Sequence, residues 1–275
     1  QGIQKMRYIT ILNMSGRICT MLGIFLFVKS PDDYILAAFL QACTPLIAGI
    51  FSIVWLRKHY TGLFKLPPMG EIINSYKEGW SIFVSSLAVN LYTATNVVVL
   101  GMLTNNVIVG YYSAADKLIT CVRRGIYAVS DAIYPFISKM MKDDISKGLQ
   151  FIKKQIFLYL VVGLVGCTSL FFFSDTIVKL LFGADYNLTV DVLRILSFVP
   201  LAVAISTVFG EETMLPLNMN SAYSRTLVLA AFFSLLSIFP LCYLWGAKGV
   251  AMTMLLTEFL IMIIMGGLLR KQLFQ

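Results

Sequence analysis

The stretch "DKLITCVRRGIYAVSDAIYP", Asp116–Pro135, places two adjacent arginines and an aspartate inside a strongly apolar chain. Lys117, Arg124 and Asp131 recur every seven residues, so on an α-helix they lie on one face. An ionised side chain in a bilayer is costly and normally faces protein or water. The stripe is therefore expected to line a wet cavity, or else to form a buried structural network. Its other members are Thr120, Tyr127 and Tyr134, with Arg123 at its edge.

The composition around this stretch is that of a membrane protein. Charged residues make up 13% of the chain and apolar residues 58%, with a mean hydropathy of +0.81, whereas soluble domains carry about 25% charged residues. The five cysteines fall in apolar runs without paired spacing, there is a single histidine, and no GxxxxGK[ST] motif occurs. A disulfide framework, a histidine-based zinc site and a P-loop are thereby excluded, and no metal site is expected.

Eight apolar segments are long enough to cross a bilayer, which takes about 20 helical residues. The predicted fold class is therefore an all-α integral membrane protein. The segment "SDTIVKLLFGADYN" is expected to be a short amphipathic surface helix that ends at Gly183. The eight predicted spans are 8–28, 34–55, 80–103, 109–137, 154–173, 189–209, 223–245 and 250–269.

The distribution of basic residues predicts the topology, because cytoplasmic loops are enriched in lysine and arginine. With a cytoplasmic N-terminal end, fourteen basic residues lie in inner loops and three in outer loops. This count requires the span 109–137 to cross the membrane, although an amphipathic helix lying on the surface is the alternative. The net charge of +8 is explained by these inner loops, and no nucleic acid is expected as a partner.

The remaining candidate site residues are polar residues that lie within the predicted spans. Arg17 lies in the first span, Asn90 in the third and Glu258 in the eighth. Basic residues outnumber acidic ones inside the spans, which favours an anionic substrate, and guanidinium groups bind phosphate oxygens well. Asp131 and Glu258 are candidates for ion coupling to a proton or sodium gradient, and no other cofactor is expected. The predicted cavity residues are Arg17, Asn90, Lys117, Arg123, Arg124, Tyr127, Asp131 and Tyr134.

Three stretches together resemble the C-terminal lobe of Wzx-type O-antigen and polysaccharide repeat-unit flippases, members of the multidrug/oligosaccharidyl-lipid/polysaccharide exporter superfamily. They are "GWSIFVSSLAVNLYTATNVVVLGMLTNNVIVGYYSAADKL", "DAIYPFISKM" and "LLFGADY". The opening "QGIQKMRYITILNMSGRI" is similar to the sequence that follows the fourth helix of those proteins. The "VRRG" motif is not a family-wide pattern, so the roles of Arg123 and Arg124 depend on their spacing alone.

The resemblance implies a two-lobed fold of twelve helices. Residues 1–56 would hold helices five and six of the first lobe, 57–79 the cytoplasmic linker, and 80–275 the six-helix second lobe. The chain is thus expected to lack four N-terminal helices. The implied function is movement of an undecaprenyl-pyrophosphate-linked oligosaccharide across the bacterial cytoplasmic membrane by alternating access. A monomer is expected, next to membrane lipid and with a glycan polymerase and a chain-length regulator as partners.

Three other functions stay open at this point. A cation-coupled multidrug exporter and a flippase for the peptidoglycan-precursor lipid belong to the same superfamily. A membrane glycan polymerase is the enzymatic alternative, but the short predicted outer loops carry no paired carboxylates and no nucleophile–base set. The protein is therefore expected not to be an enzyme.

Overall fold

The computed structural model describes residues 6–30, 33–59, 68–183 and 185–273, and all regular structure within these ranges is helical. The predicted all-α class is confirmed for these residues. The elements are α1 (Met6–Phe27), α2 (Tyr34–His59), α3 (Met69–Leu103), α4 (Asn106–Asp143), α5 (Ile145–Phe182), α6 (Asn187–Leu196), α7 (Val199–Phe209), a π-helical turn (Gly210–Met214), α8 (Asn220–Trp245) and α9 (Ala247–Leu273).

The chain divides into two compact units, residues 1–72 and 73–275. In the first unit, α1 packs against α2. The second unit holds α3 from Ile73 onward and all the elements from α4 to α9. Helix α3 begins at Met69, so the last part of the predicted 57–79 linker is helical, while residues 60–67 of that linker lie outside the described residues.

Five helical segments among the described residues are long and apolar enough to cross a membrane. Eight spans were predicted, and the difference comes from the first unit and from α4. Helix α1 contributes only a shorter apolar stretch, 16–27. Helix α4 is 38 residues long but carries the charged stretch. The five segments are Ile82–Leu103, Ile145–Phe182, Asn187–Met214, Asn220–Trp245 and Ala247–Arg270.

The apolar segment that was predicted as one span, 189–209, is interrupted in the structure. Helix α6 ends at Leu196, and α7 begins at Val199 with Pro200 in its first turn, where proline needs no amide hydrogen bond. Every residue of α7 except its last, Phe209, is buried, as expected for a helix that is apolar on all sides. The helical path then continues through the π-helical turn, five residues beyond the predicted end.

Helix α5 corrects the prediction of a separate surface helix at 174–187. Its 38 residues run without a break to Phe182, and no proline or glycine occurs from Cys167 to Phe182. Gly183 ends the helix with φ +100°, a conformation that favours glycine. The predicted end of the helix at Gly183 is therefore confirmed, but its start is not.

Asp144 joins α4 to α5. Its Oδ1 accepts hydrogen bonds from the backbone amides of Lys147 (3.2 Å) and Ser146 (2.9 Å), which are free donors at a helix start. The Lys147 amide, with a contribution from the ammonium group of the same residue, holds the pKa of Asp144 below its ordinary value of 3.8. The turn between these two helices is thus fixed by a charged cap.

The two larger of the buried apolar clusters lie within the second unit. One surrounds α6 and includes Leu100, Ile119 and Leu193. The other lies around the π-helical turn and includes Ile152 and Met214. Outside these clusters the helices expose large apolar side chains; examples are Phe157, Val165, Phe172, Leu180, Phe232 and Leu236. A soluble protein rarely exposes so much contiguous apolar surface, so these side chains are suited to an apolar environment such as lipid.

Candidate functional site in the second helical unit

A buried ionic cluster joins α3, α4 and α9 in the interior of the second unit. The guanidinium of Arg123 lies 3.8 Å from Glu258 Oε1, and the Tyr92 hydroxyl donates to the same oxygen at 3.0 Å. The side chains of Arg123 and Glu258 are only 10% and 4% exposed. Tyr127, one turn along α4, lies beside the guanidinium. A carboxylate at this depth is tolerated because a cation and a hydroxyl compensate it.

Two polar atoms in this region are buried without a hydrogen-bond partner among the described residues. They are Arg123 Nε and Asn96 Oδ1. Arg123 has five N–H donors, and the contact with Glu258 is longer than a hydrogen bond. The cluster therefore retains unused donor and acceptor capacity.

The charged stripe of α4 lies on a different face from Arg123. Lys117, Arg124 and Asp131 are all exposed, and Tyr127 is half-buried. Tyr134 is 37% exposed. Since residues seven apart share a helix face, these side chains form one outward stripe along α4. The structure thus separates the two adjacent arginines: Arg123 enters the protein interior, and Arg124 points away from it.

Two further predicted site residues, Arg17 and Asn90, are exposed. Arg17 is exposed on α1, in the first unit. Asn90 is exposed on α3, and its Nδ2 donates to the carbonyl of Ser86, one turn earlier, at 2.8 Å. Glu258 and Tyr127 are the predicted residues that the structure places beside the Arg123 guanidinium.

Sequence reasoning missed a pair of carboxylates in the π-helical turn, Glu211 and Glu212. Glu212 is fully buried and accepts hydrogen bonds from Ser130 on α4 and Gln155 on α5, both at 2.6 Å. The pair was overlooked because the predicted span ended at Phe209, just before the charges. Two glutamates directly after an apolar run, in a segment without basic residues, were the available signal. A π-helical turn is itself frequent at functional sites.

The described residues contain no group of three or more His, Cys, Asp and Glu side chains that could hold a metal ion. They do form an apolar pocket of about 350 Å³ between α4, α5 and α7, with Gly125, Gly163, Gly166 and Ala204 in its walls. The pocket offers almost no polar groups and is unsuited to an anion. The candidate polar groups for a site are therefore those of the ionic cluster, the α4 stripe and the Glu212 contacts.

These features define the class: a multi-pass helical membrane protein with a buried ionic cluster and a charged helix face. Residues 1–141 match the model of the polysaccharide biosynthesis protein family. The match covers half of the chain, and the chain belongs to that family. No solved structure matches it.

Relatives of known name agree with this assignment. The chain is 30% identical over 265 residues to a protein of Shigella dysenteriae and 30% identical over 262 residues to one of Escherichia coli K12, both named provisionally as O-antigen transporters. It is 25% identical over 277 residues to the capsular polysaccharide biosynthesis protein CapF of Staphylococcus aureus. These alignments cover 96%, 95% and 94% of the chain, and 66%, 63% and 67% of the respective relatives. The chain thus spans about two thirds of their length.

Proposed function

We propose that the full-length protein is a non-enzymatic flippase for lipid-linked oligosaccharides. Its substrate is an undecaprenyl-pyrophosphate-linked repeat unit of O-antigen, capsule or exopolysaccharide. The protein carries this substrate across the bacterial cytoplasmic membrane by alternating access. The names of the relatives, two O-antigen transporters and a capsular polysaccharide biosynthesis protein, support the substrate class.

The observation that carries the proposal is the exposure of the α4 stripe. Lys117, Arg124 and Asp131 project outward from a helix whose neighbours in the second unit are long apolar helices. Charged groups at membrane depth face water or protein and not lipid. A wet cavity along α4 accommodates them, and such a cavity is what a polar headgroup needs for passage.

The charge of this surface favours an anion. Two of its three charged members, Lys117 and Arg124, are cationic, and Tyr127 and Tyr134 offer hydroxyls and ring faces to sugars. Arg124 makes none of the ion pairs found among the described residues. Its guanidinium is free to bind phosphate oxygens in a bidentate manner. We assign the pyrophosphate and any sugar acids to these two cations.

The proposal includes eight membrane crossings with a cytoplasmic N-terminal end. Eight helical segments among the described residues have at least 22 residues each. They are α1 to α5, the segment formed by α6, α7 and the π-helical turn, α8, and α9. All exceed the length of about 20 residues that a crossing requires. They correspond to the last two helices of a first lobe and six of a second in a twelve-helix exporter. A glycan polymerase and a chain-length regulator would act on the translocated product.

The structure gives less support to a multidrug exporter. Such a protein needs a buried carboxylate that is available to an organic cation. Glu258 is already occupied by Arg123 and Tyr92, and both oxygens of the fully buried Glu212 are occupied by Ser130 and Gln155. Asp131 stands on the same face as two cations. The anionic substrate is therefore the better match to the described surface.

The test is surface glycan production in a flippase-deleted strain that expresses the full-length protein with Arg124→Ala, Arg124→Lys or Arg124→Glu. A charge-assisted contact contributes about 1.5–3 kcal/mol, which corresponds to roughly a 10- to 150-fold loss of substrate affinity. We expect Ala and Glu to abolish surface glycan at normal membrane abundance and Lys to retain part of it. Arg225→Ala, an exposed arginine on α8, is the matched control.

Deletion of the gene should leave undecaprenyl-linked repeat units on the cytoplasmic leaflet. Normal surface glycan in the deletion strain, together with drug hypersensitivity, would refute the flippase proposal and indicate a drug exporter. Normal transport by all three Arg124 variants would show that Arg124 does not bind the substrate. A fall in protein abundance in these variants would instead assign Arg124 to a structural network.

A further inference from the structure

The environment of Glu212 differs from that of the other buried carboxylate, Glu258. Glu212 is fully buried, with the Ser130 hydroxyl donating to its Oε1 and the Gln155 amide donating to its Oε2. These two bonds connect the π-helical turn to α4 and to α5. Both partners are neutral, whereas Glu258 faces the cation of Arg123.

No ion pair among the described residues includes Glu212. Of the titratable groups, Glu211 adjoins it in the chain and Tyr159 on α5 lies near it, while Asp131 on α4 and Tyr223 on α8 lie near Glu211. All are acidic or neutral, so none can compensate a negative charge on Glu212. An ionised carboxylate without a cation in the interior loses more solvation than two neutral donors return. The protonated form of Glu212 fits this environment.

The hydrogen-bond distances point the same way. The 2.6 Å contact between Gln155 and Glu212 Oε2 is short for an N–H···O bond and lies within the range of O–H···O bonds. Gln155 Oε1 and the Tyr159 hydroxyl are both buried without a hydrogen-bond partner among the described residues. An amide turned over about its last torsion exchanges its oxygen and nitrogen in nearly the same volume. Gln155 would then accept from a protonated Glu212 and present its NH₂ group to the Tyr159 hydroxyl, which it faces.

We propose that Glu212 is a proton-binding site, and that its bound proton holds α4, α5 and the π-helical turn together. The carboxylate takes up one proton from solvent, and the resulting O–H donates to Gln155 Oε1 while Ser130 donates to the other oxygen. Loss of the proton returns it to solvent and leaves a buried carboxylate with two neutral donors and no cation, which weakens the contacts among the three elements. This inference does not depend on the identity of the transported substrate.

The first test is infrared spectroscopy of the purified full-length protein in lipid nanodiscs. The spectrum of each variant is subtracted from the spectrum of the wild type. We expect a carbonyl-stretching band of a protonated carboxylic acid at neutral pH that is lost in Glu212→Gln. Glu211→Gln, at the adjacent position outside the hydrogen-bonded cluster, is the matched control and should retain the band. Gln155→Leu and Ser130→Ala leave Glu212 in place and should shift the band, which keeps the test valid if Glu212→Gln does not fold.

The second test is thermal unfolding as a function of pH. Since the folded state favours the protonated carboxyl, its contribution is present at low pH and is lost as pH rises. The wild type should lose thermal stability over a range of rising pH in which Glu212→Gln, a permanent mimic of the neutral group, changes less. A band unchanged in Glu212→Gln would overturn the proposal. So would stabilisation by sodium that Glu212→Gln abolishes, without any protonated band, because Glu212 would then be a sodium ligand.

Discussion

Removal of either partner of the Arg123–Glu258 pair should destabilise the second unit strongly, and removal of both should cost much less than the sum. Arg123→Met keeps the length of the side chain and removes its charge. It leaves Glu258, 4% exposed, with only the Tyr92 hydroxyl as a partner. Glu258→Gln leaves the guanidinium without its carboxylate. In both single variants an uncompensated polar or charged group remains in the interior.

The magnitude follows from the distance. Two unit charges 3.8 Å apart attract each other by about 4 kcal/mol at an effective dielectric constant of about 20. The loss of one partner of a buried pair costs about 3–5 kcal/mol. The contact is too long for a hydrogen bond, so we place each single variant at about 3 kcal/mol, the lower end of this range. The coupling energy between the two sites should then be about 2–4 kcal/mol.

The assay is equilibrium unfolding in mixed detergent micelles of the wild type, the two single variants and the double variant. Arg124→Met is the matched control, because it removes the same charge from the next residue, which is exposed. It should change the free energy of unfolding by no more than about 0.5 kcal/mol. Single effects that add to within about 0.5 kcal/mol would refute the ionic pair. If Arg123→Met and Arg124→Met lowered the free energy of unfolding equally, the conclusion that Arg123 is buried and Arg124 is exposed would be refuted.

Three further predictions concern stability. Tyr92→Phe removes a hydrogen bond to the Glu258 carboxylate and should lower the free energy of unfolding by about 1.5–3 kcal/mol in the same assay. Gly249→Ala would overlap a backbone carbonyl of α8 and should lower Tm, whereas Gly110→Ala on α4 meets no atom within 4 Å and should raise Tm slightly. Asp144→Ala should lower Tm and Asp144→Asn should not, because asparagine also caps helices. Since the pKa of Asp144 is lowered, its contribution is present above its ordinary pKa and is lost as pH falls through the lowered value. Thermal scans at neutral and acidic pH check this.

The sequence alone predicted the charged face of α4 because that face is a local property. Lys117, Arg124 and Asp131 are seven residues apart, and a single helix places them together whatever surrounds it. The continuous α4, Asn106–Asp143, supplies that helix. The role of the stripe in substrate binding stays a prediction. What periodicity could not show was that its neighbour Arg123 turns into the interior.

The sequence alone could not identify Glu258 as the partner of Arg123. Glu258 lies 135 residues away in the chain, and the two side chains meet only because α9 packs against α4. One sequence without tertiary contacts offers many pairings for a buried arginine. The candidates for ion coupling, Asp131 and Glu258, were likewise chosen by depth in the predicted spans. In the structure Asp131 is exposed, and Glu258 is paired with a cation.

Glu212 was missed because hydropathy locates a span by its apolar residues and stops at charges. The fold continues α7 into the π-helical turn and buries Glu212 against Ser130 and Gln155. Burial of a carboxylate next to neutral donors has a free-energy cost that the surrounding apolar packing must offset. Glu258 shows that this chain can place a cation beside a buried carboxylate. Among the described residues, Glu258 has a cation beside it, whereas Glu212 has two neutral donors. This chemical difference between the two sites is the basis of the proposed proton site at Glu212.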